Sequence, residues 1–237
     1  MLLTFTSLPP LDQSALLPAS LLELNDIGVL LMKQQQRSTA ISVFQTILRI
    51  MSMDLGNPLE HEQHSSVVTG LPHISSTRGS AVVASASASN PFSIFNRAFV
   101  VPSSPNETNL IFKHLPFVVI YNIGLIYHQL GCERESARDF RMAEFFYTQA
   151  LVRIEKTILQ RNYAASFNLL ILALFNNLGH VHSHFYNASE ASHCRQQTLM
   201  TFLITDYSKL LNSEEYLFFY LNLLLSEPSW PKFAPAA

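Results

Sequence analysis

Three histidines alternate in the run His180-Val181-His182-Ser183-His184, and His193 and Cys194 follow shortly after. On a helix, His180 and His184 stand one turn apart on one face, a spacing at which two imidazoles can hold a zinc ion. With His193 shortly after, His180, His184 and His193 are the candidate metal ligands; the only acidic residue close in sequence is Glu190. His182 falls on another face and is expected to point into a neighbouring helix. The competing reading is a pair of histidines lining a binding surface, where their titration near neutrality makes binding pH-sensitive.

No other chemistry announces itself. The chain has no phosphate loop, no dinucleotide fingerprint and no nucleophile elbow, so no catalytic residue and no cofactor is assigned. Its 15 Lys and Arg against 17 Asp and Glu give a net charge of −2. That balance provides no basic stripe for nucleic acid. Two cysteines, Cys132 and Cys194, form no CxxC and no framework. A reduced, intracellular compartment, cytoplasmic or nuclear, is therefore expected. The N-terminal run MLLTFTSLPP has no basic residue before its apolar stretch and is broken by Pro9 and Pro10, so no secretory signal is expected. The most apolar run, Phe167–Phe175, falls well short of the roughly 20 residues of a spanning helix, and no membrane segment is expected.

The elements that must position these residues are marked by glycine. Only seven occur in 237 residues, and three lie in similar blocks: NDIGVLL (Gly28), YNIGLIY (Gly124) and NNLGHVH (Gly179). Glycine inside a helix costs about 0.5–1 kcal/mol relative to alanine, so a recurrent one implies close helix–helix approach.

Proline partitions the chain. Pro58, Pro72, Pro91, Pro102, Pro105 and Pro116 share one region, and none occurs between Phe117 and Glu227. Because proline interrupts helix interiors, helical hairpins are expected over 19–53, 117–160 and 161–211. They are preceded by an N-terminal extension (1–18) and separated by a Ser/Pro-rich, largely irregular insertion (54–116). Residues 212–237 hold a last helix and a tail. Asn187 with Glu190 reads as a capping box, and Ser213 before Glu214 and Glu215 as a further helix start. The last helix, with Leu217, Phe218, Leu221, Leu224 and Leu225 at helical spacing, is expected to cap the array before Pro228.

These blocks resemble the tetratricopeptide-repeat family, whose unit pairs Leu-Gly and an aromatic on one helix with Ala, an aromatic and a small residue on the next. Ile27, Gly28, Ala40 and Phe44 match in the first copy. Ile123, Gly124, Tyr127, Ala143, Tyr147 and Ala150 match in the second, and Leu178, Gly179 and Ala191 in the third. His182 takes an aromatic place and Arg195 departs from the pattern. Gly28 to Ala40 and Gly179 to Ala191 span twelve residues, whereas Gly124 to Ala143 spans nineteen. The extra seven, about two helical turns, predict a longer second helix in that copy. The resemblance implies an all-α array of about three stacked antiparallel hairpins that binds an unidentified protein or peptide in a concave groove. Groove positions would include Asn25, Val29, Lys33, Tyr121, Leu125, His128, Asn176, His180 and His184. The cations of the family's carboxylate clamp are absent: Asn25, Val29, Ala173 and Asn177 stand at its places. A self-associating structural protein, using the last helix or a Phe-rich segment, is the alternative.

That segment, PFSIFNRAFVV (Pro91–Val101), is too apolar to leave in water. One reading lays it extended along the helices, in the groove itself, as an internal ligand that a partner must displace. The other makes it core filling beside the first hairpin.

Overall fold

The computed structural model describes residues 13–51, 92–101, 108–161, 167–207 and 211–225. The Ser-rich stretch 56–88 lies outside them. Among the described residues seven helices form: α1 (Gln13–Lys33), α2 (Arg37–Ile50), α3 (Thr108–Arg134), α4 (Ala137–Arg161), α5 (Asn168–His184), α6 (Ala188–Tyr207) and α7 (Ser213–Leu225). No strand forms among the described residues, so the class is all-α.

The three tightest pairs are α1–α2, α3–α4 and α5–α6. Each joins the next through α2–α3 and α4–α5, and α1, α3 and α5 are neighbours on the other side. All three turns are built alike. Gln35, Glu135 and Tyr186 take positive φ (61°, 52° and 58°). The amides of Gln36, Ser136 and Asn187 then reach back to the carbonyls of Leu31, Gly131 and His182 at 2.9, 3.1 and 2.9 Å. This left-handed closure satisfies carbonyls that a helix end leaves orphaned. In the following helices, Ala40, Phe140 and Ala191 donate to the carbonyls of Gln36, Ser136 and Asn187.

Measured from these turns, the seven extra residues of the second hairpin are not confined to its second helix. Gly124 lies about one turn further back than Gly28 or Gly179, and Ala143 about one turn further on than Ala40 or Ala191. Both helices are extended, because a hairpin lengthened on one side only would leave its apolar face unpartnered. The added stretch holds His128, Gly131, Cys132 and Phe140.

Several expected boundaries move. α1 begins inside the expected N-terminal extension, and α3 begins at Thr108 and runs through Pro116. Pro116 stands eight residues after the first residue of α3, so this proline lies inside a helix and does not mark the boundary expected before Phe117. α7 is capped by Asn212, not Ser213: Asn212 Oδ1 accepts from the amides of Glu214 (3.0 Å) and Glu215 (2.9 Å), and Glu215 Oε2 accepts from Asn212 N at 3.2 Å. This reciprocal pair is a capping box. α7 also buries a different stripe. Glu215, Phe218, Phe219, Asn222 and Leu223 face inward, while Leu217, Leu221, Leu224 and Leu225 are exposed. The window His114–Arg134 is apolar and long enough to cross a membrane by composition, but 83% of it is buried inside the helical array.

Two glycines act as expected. A Cβ on Gly28 would overlap the Phe44 ring, and one on Gly124 would lie 2.8 Å from Tyr147, each on the paired helix. Gly179 differs: its Cβ would lie 2.5 Å from Phe92. The third hairpin has Arg195 where the others carry Phe44 and Tyr147, and the ring it lacks arrives from residues 92–101.

Candidate functional site

Residues 92–101 lie extended across α7, α5, α3 and α1, in that order. Phe92, Ser93, Phe95, Arg97, Ala98 and Phe99 are buried. An extended backbone in an apolar interior must have its N–H and C=O groups satisfied, and among the described residues no strand forms beside it. Asparagine side chains take that role, since one primary amide presents a donor and an acceptor side by side.

Asn222 accepts from Ser93 N at 2.8 Å and donates to Ser93 O at 2.9 Å. Asn177 accepts from Phe95 N at 2.8 Å and donates to Phe95 O at 3.2 Å. Asn122 accepts from Phe99 N at 2.9 Å and donates to Phe99 O at 2.9 Å. Three residues of the segment are thus each held at both main-chain groups. Asn176 adds a donor to Ser93 O (2.8 Å) and Tyr121 Oη one to Phe95 O (3.0 Å). Asn25 reaches Phe99 O only at 3.5 Å, the edge of hydrogen-bonding distance.

Side chains supply the rest. Phe95 packs against Phe99 (6.0 Å between centroids), Phe218 (5.3 Å) and Phe219 (5.1 Å), and Phe99 lies edge-on to Tyr121 at 4.9 Å. Arg97 reaches Glu214 at 2.6 Å and stands 4.0 Å from the buried Glu215. α7 packs only lightly on α6, so the segment is much of what attaches it.

The predicted groove positions divide. Asn25, Tyr121 and Asn176 face the segment. Val29 and Leu125 are core residues, and Lys33 is exposed at the end of α1. Of the two readings of Pro91–Val101, the extended one describes its position, along the α1–α3–α5 side. Asn222 is not among the expected groove residues, and Asn122 and Asn177 are expected there only as amides for a peptide carboxylate; the latter two stand two residues before a repeat glycine, as Asn122-Ile-Gly124 and Asn177-Leu-Gly179.

The histidines are placed otherwise than the run HVHSH suggests. His180 Nδ1 is 2.9 Å from His128 Nε2, and His128 Nδ1 is 3.2 Å from Tyr147 Oη. Asn177 Nδ2, besides its bond to Phe95 O, lies 3.2 Å from Tyr147 Oη and 3.3 Å from Tyr121 Oη, with its second hydrogen shared between them, so one polar chain links His180 to the buried segment. Burial, helped by the nearby His184, holds His180 down to about 4. Burial also drives His128 well below the ordinary histidine value, with His180 and His184 adding to it. His184 stacks on Phe140 at 4.0 Å. His182 turns toward α4, with Nδ1 3.7 Å from Glu144. His193 lies beside Phe175 on the α5–α6 contact, 6.5 Å between centroids. The expected trio of His180, His184 and His193 is therefore not assembled; among the described residues, His180 converges with His128 and Cys132.

Comparison with protein-family models, curated protein sequences and solved structures returns no match for this chain.

Proposed function

We propose that this chain is a non-enzymatic interaction module of tetratricopeptide-like architecture, with a groove that holds an extended apolar peptide chiefly by its main chain. Residues 92–101 are the resident occupant, and a partner segment of similar pattern takes their place. The observation that carries this reading is the two-point hold of Asn222, Asn177 and Asn122 on Ser93, Phe95 and Phe99. Main-chain contacts give affinity with little sequence demand, and the pockets for Phe95, Arg97 and Phe99 give selectivity.

The test weakens the resident copy and supplies a second one. A full-length chain carrying Phe95→Ala and Phe99→Ala, checked for helicity by circular dichroism, is titrated with a labelled peptide of residues 91–101. Saturable binding, lost when Asn122→Ala is added, supports the reading. Absence of binding to a still-helical chain overturns it.

A second reading is self-association. α6 and α7, which touch each other, leave Met200, Leu203, Ile204, Leu221, Leu224 and Leu225 between 42% and 61% exposed. Large exposed apolar surface of this kind commonly marks an interface. Light scattering on the eluting chain distinguishes the two: a stable dimer broken by Leu203→Glu, with no peptide binding, favours self-association.

A further inference from the structure

The turn added to each helix of the second hairpin brings together donors that the groove does not use. His128 and Cys132 stand one helical turn apart on α3, and His180 approaches from α5. One ligand atom from each lies within 4.8 Å of the other two. We propose that His128, Cys132 and His180 form a transition-metal site of the zinc class, with three protein ligands and a fourth position open to solvent.

The ligand types select the metal. Two neutral imidazoles and a thiolate with no carboxylate suit a borderline-soft ion and disfavour calcium or magnesium. The geometry is close to what such an ion needs. With bonds of about 2.0–2.3 Å, tetrahedral ligand atoms stand roughly 3.3–3.6 Å apart. His128 Nε2 and His180 Nδ1 begin at 2.9 Å, so they open by a few tenths of an ångström while Cys132 closes by up to about one. Cys132 is exposed, His180 half-buried and His128 fully buried, a gradient that leaves a path for entry.

An orienting group is already in place. A metal-bound histidine generally donates its other ring N–H to a fixed acceptor, and Tyr147 Oη lies 3.2 Å from His128 Nδ1. The protons balance simply. The hydrogen shared between His128 Nε2 and His180 Nδ1 passes to the far nitrogen of whichever ring carries it; for His128 that nitrogen faces Tyr147. Zinc binds the thiolate, so it displaces one proton from the Cys132 sulfur, and affinity rises with pH.

The test uses the full chain, stripped with a chelator and titrated with cobalt(II), then zinc. One equivalent of cobalt should give the visible bands of a tetrahedral ion and a near-ultraviolet thiolate-to-cobalt charge-transfer band, both abolished by zinc. Cys132→Ser should remove the charge-transfer band. Cys132→Ser and His180→Gln should each weaken zinc binding by more than the roughly 10–100-fold that loss of an outer-shell partner costs, whereas Cys194→Ser and His193→Gln should not. These ligand variants sit on the more accessible side, so the test does not depend on replacing the fully buried His128. A helical chain that binds no cobalt, or Cys132→Ser and His180→Gln variants that keep wild-type zinc affinity, overturns the proposal.

Discussion

Asn177 holds Phe95 at both main-chain groups through one side-chain amide, accepting at 2.8 Å and donating at 3.2 Å. The same Nδ2 also approaches Tyr121 Oη and Tyr147 Oη. One residue of α5 thereby ties the inserted segment to α3 and α4. Asn25 on α1, three residues before Gly28, makes one long contact, and among the described residues its buried Oδ1 has no partner.

These two asparagines should respond oppositely. Asn177→Ala leaves the amide of Phe95 unsatisfied in the interior, at about 1–3 kcal/mol, while the Phe95 carbonyl keeps its bond from Tyr121 Oη. Asn25→Leu removes an unpartnered polar atom and is expected to fall within about 1 kcal/mol of wild type, on either side. Urea denaturation of both variants measures this. Equal losses would mean that the contrast in hydrogen bonding does not govern stability.

Gly179 and Phe92 should be strongly coupled. Gly179→Ala gains up to about 1 kcal/mol of helix propensity. The new Cβ meets Phe92 at 2.5 Å, however, and overpacking costs about 1–3 kcal/mol, so the single change should destabilise. In a Phe92→Ala background the obstruction is gone and Gly179→Ala should become stabilising. A double-mutant cycle reads this sign reversal; additive effects would place Phe92 elsewhere in solution.

Arg97 should matter through the buried contact it makes with Glu215. The two groups stand 4.0 Å apart and Glu215 is 4% exposed, but Glu215 Oε2 also accepts from Asn212 N, so the carboxylate keeps a partner when Arg97 is removed. Arg97→Ala should therefore destabilise by about 1–3 kcal/mol, the cost of a charged group that loses one of its partners. Arg97→Met combined with Glu215→Gln should be milder than Arg97→Ala, because neither charge then remains in the interior. Thermal and urea unfolding of the two variants make the comparison.

Acid should weaken the fold from a defined point. His180 is held down to about 4 in the folded chain, against an ordinary value of 6.5. Above about pH 6.5 neither state is protonated there and stability is unaffected. Below it, the unfolded chain takes up a proton that the folded chain refuses until about pH 4, so stability falls across that window by about 3 kcal/mol. His128, shifted in the same direction, deepens the loss. Denaturation midpoints between pH 8 and pH 4 should show this slope, and His180→Gln should flatten it. An unchanged slope would assign the acid sensitivity to other groups.

The sequence by itself determined the helical class, the three glycine-marked hairpins and the unequal length of the second. Those are local properties: helical periodicity, the scarcity of glycine, and the counting of residues between marks. It also flagged Pro91–Val101, because so much apolar surface in an otherwise polar insertion has to be buried somewhere. Only the tertiary structure decided what that segment touches. Asn222 reads as an ordinary polar residue, and Asn122 and Asn177 only as amides for a peptide carboxylate, until an extended backbone lies against them, because a side-chain amide has no sequence signal for what it bonds. Likewise HVHSH directed attention to neighbours in sequence, while His180 meets His128, 52 residues earlier. The α7 stripe was misassigned for a related reason: several apolar stripes fit one short helix, and which is buried depends on what it packs against. Here that partner is Phe95, brought from more than a hundred residues away.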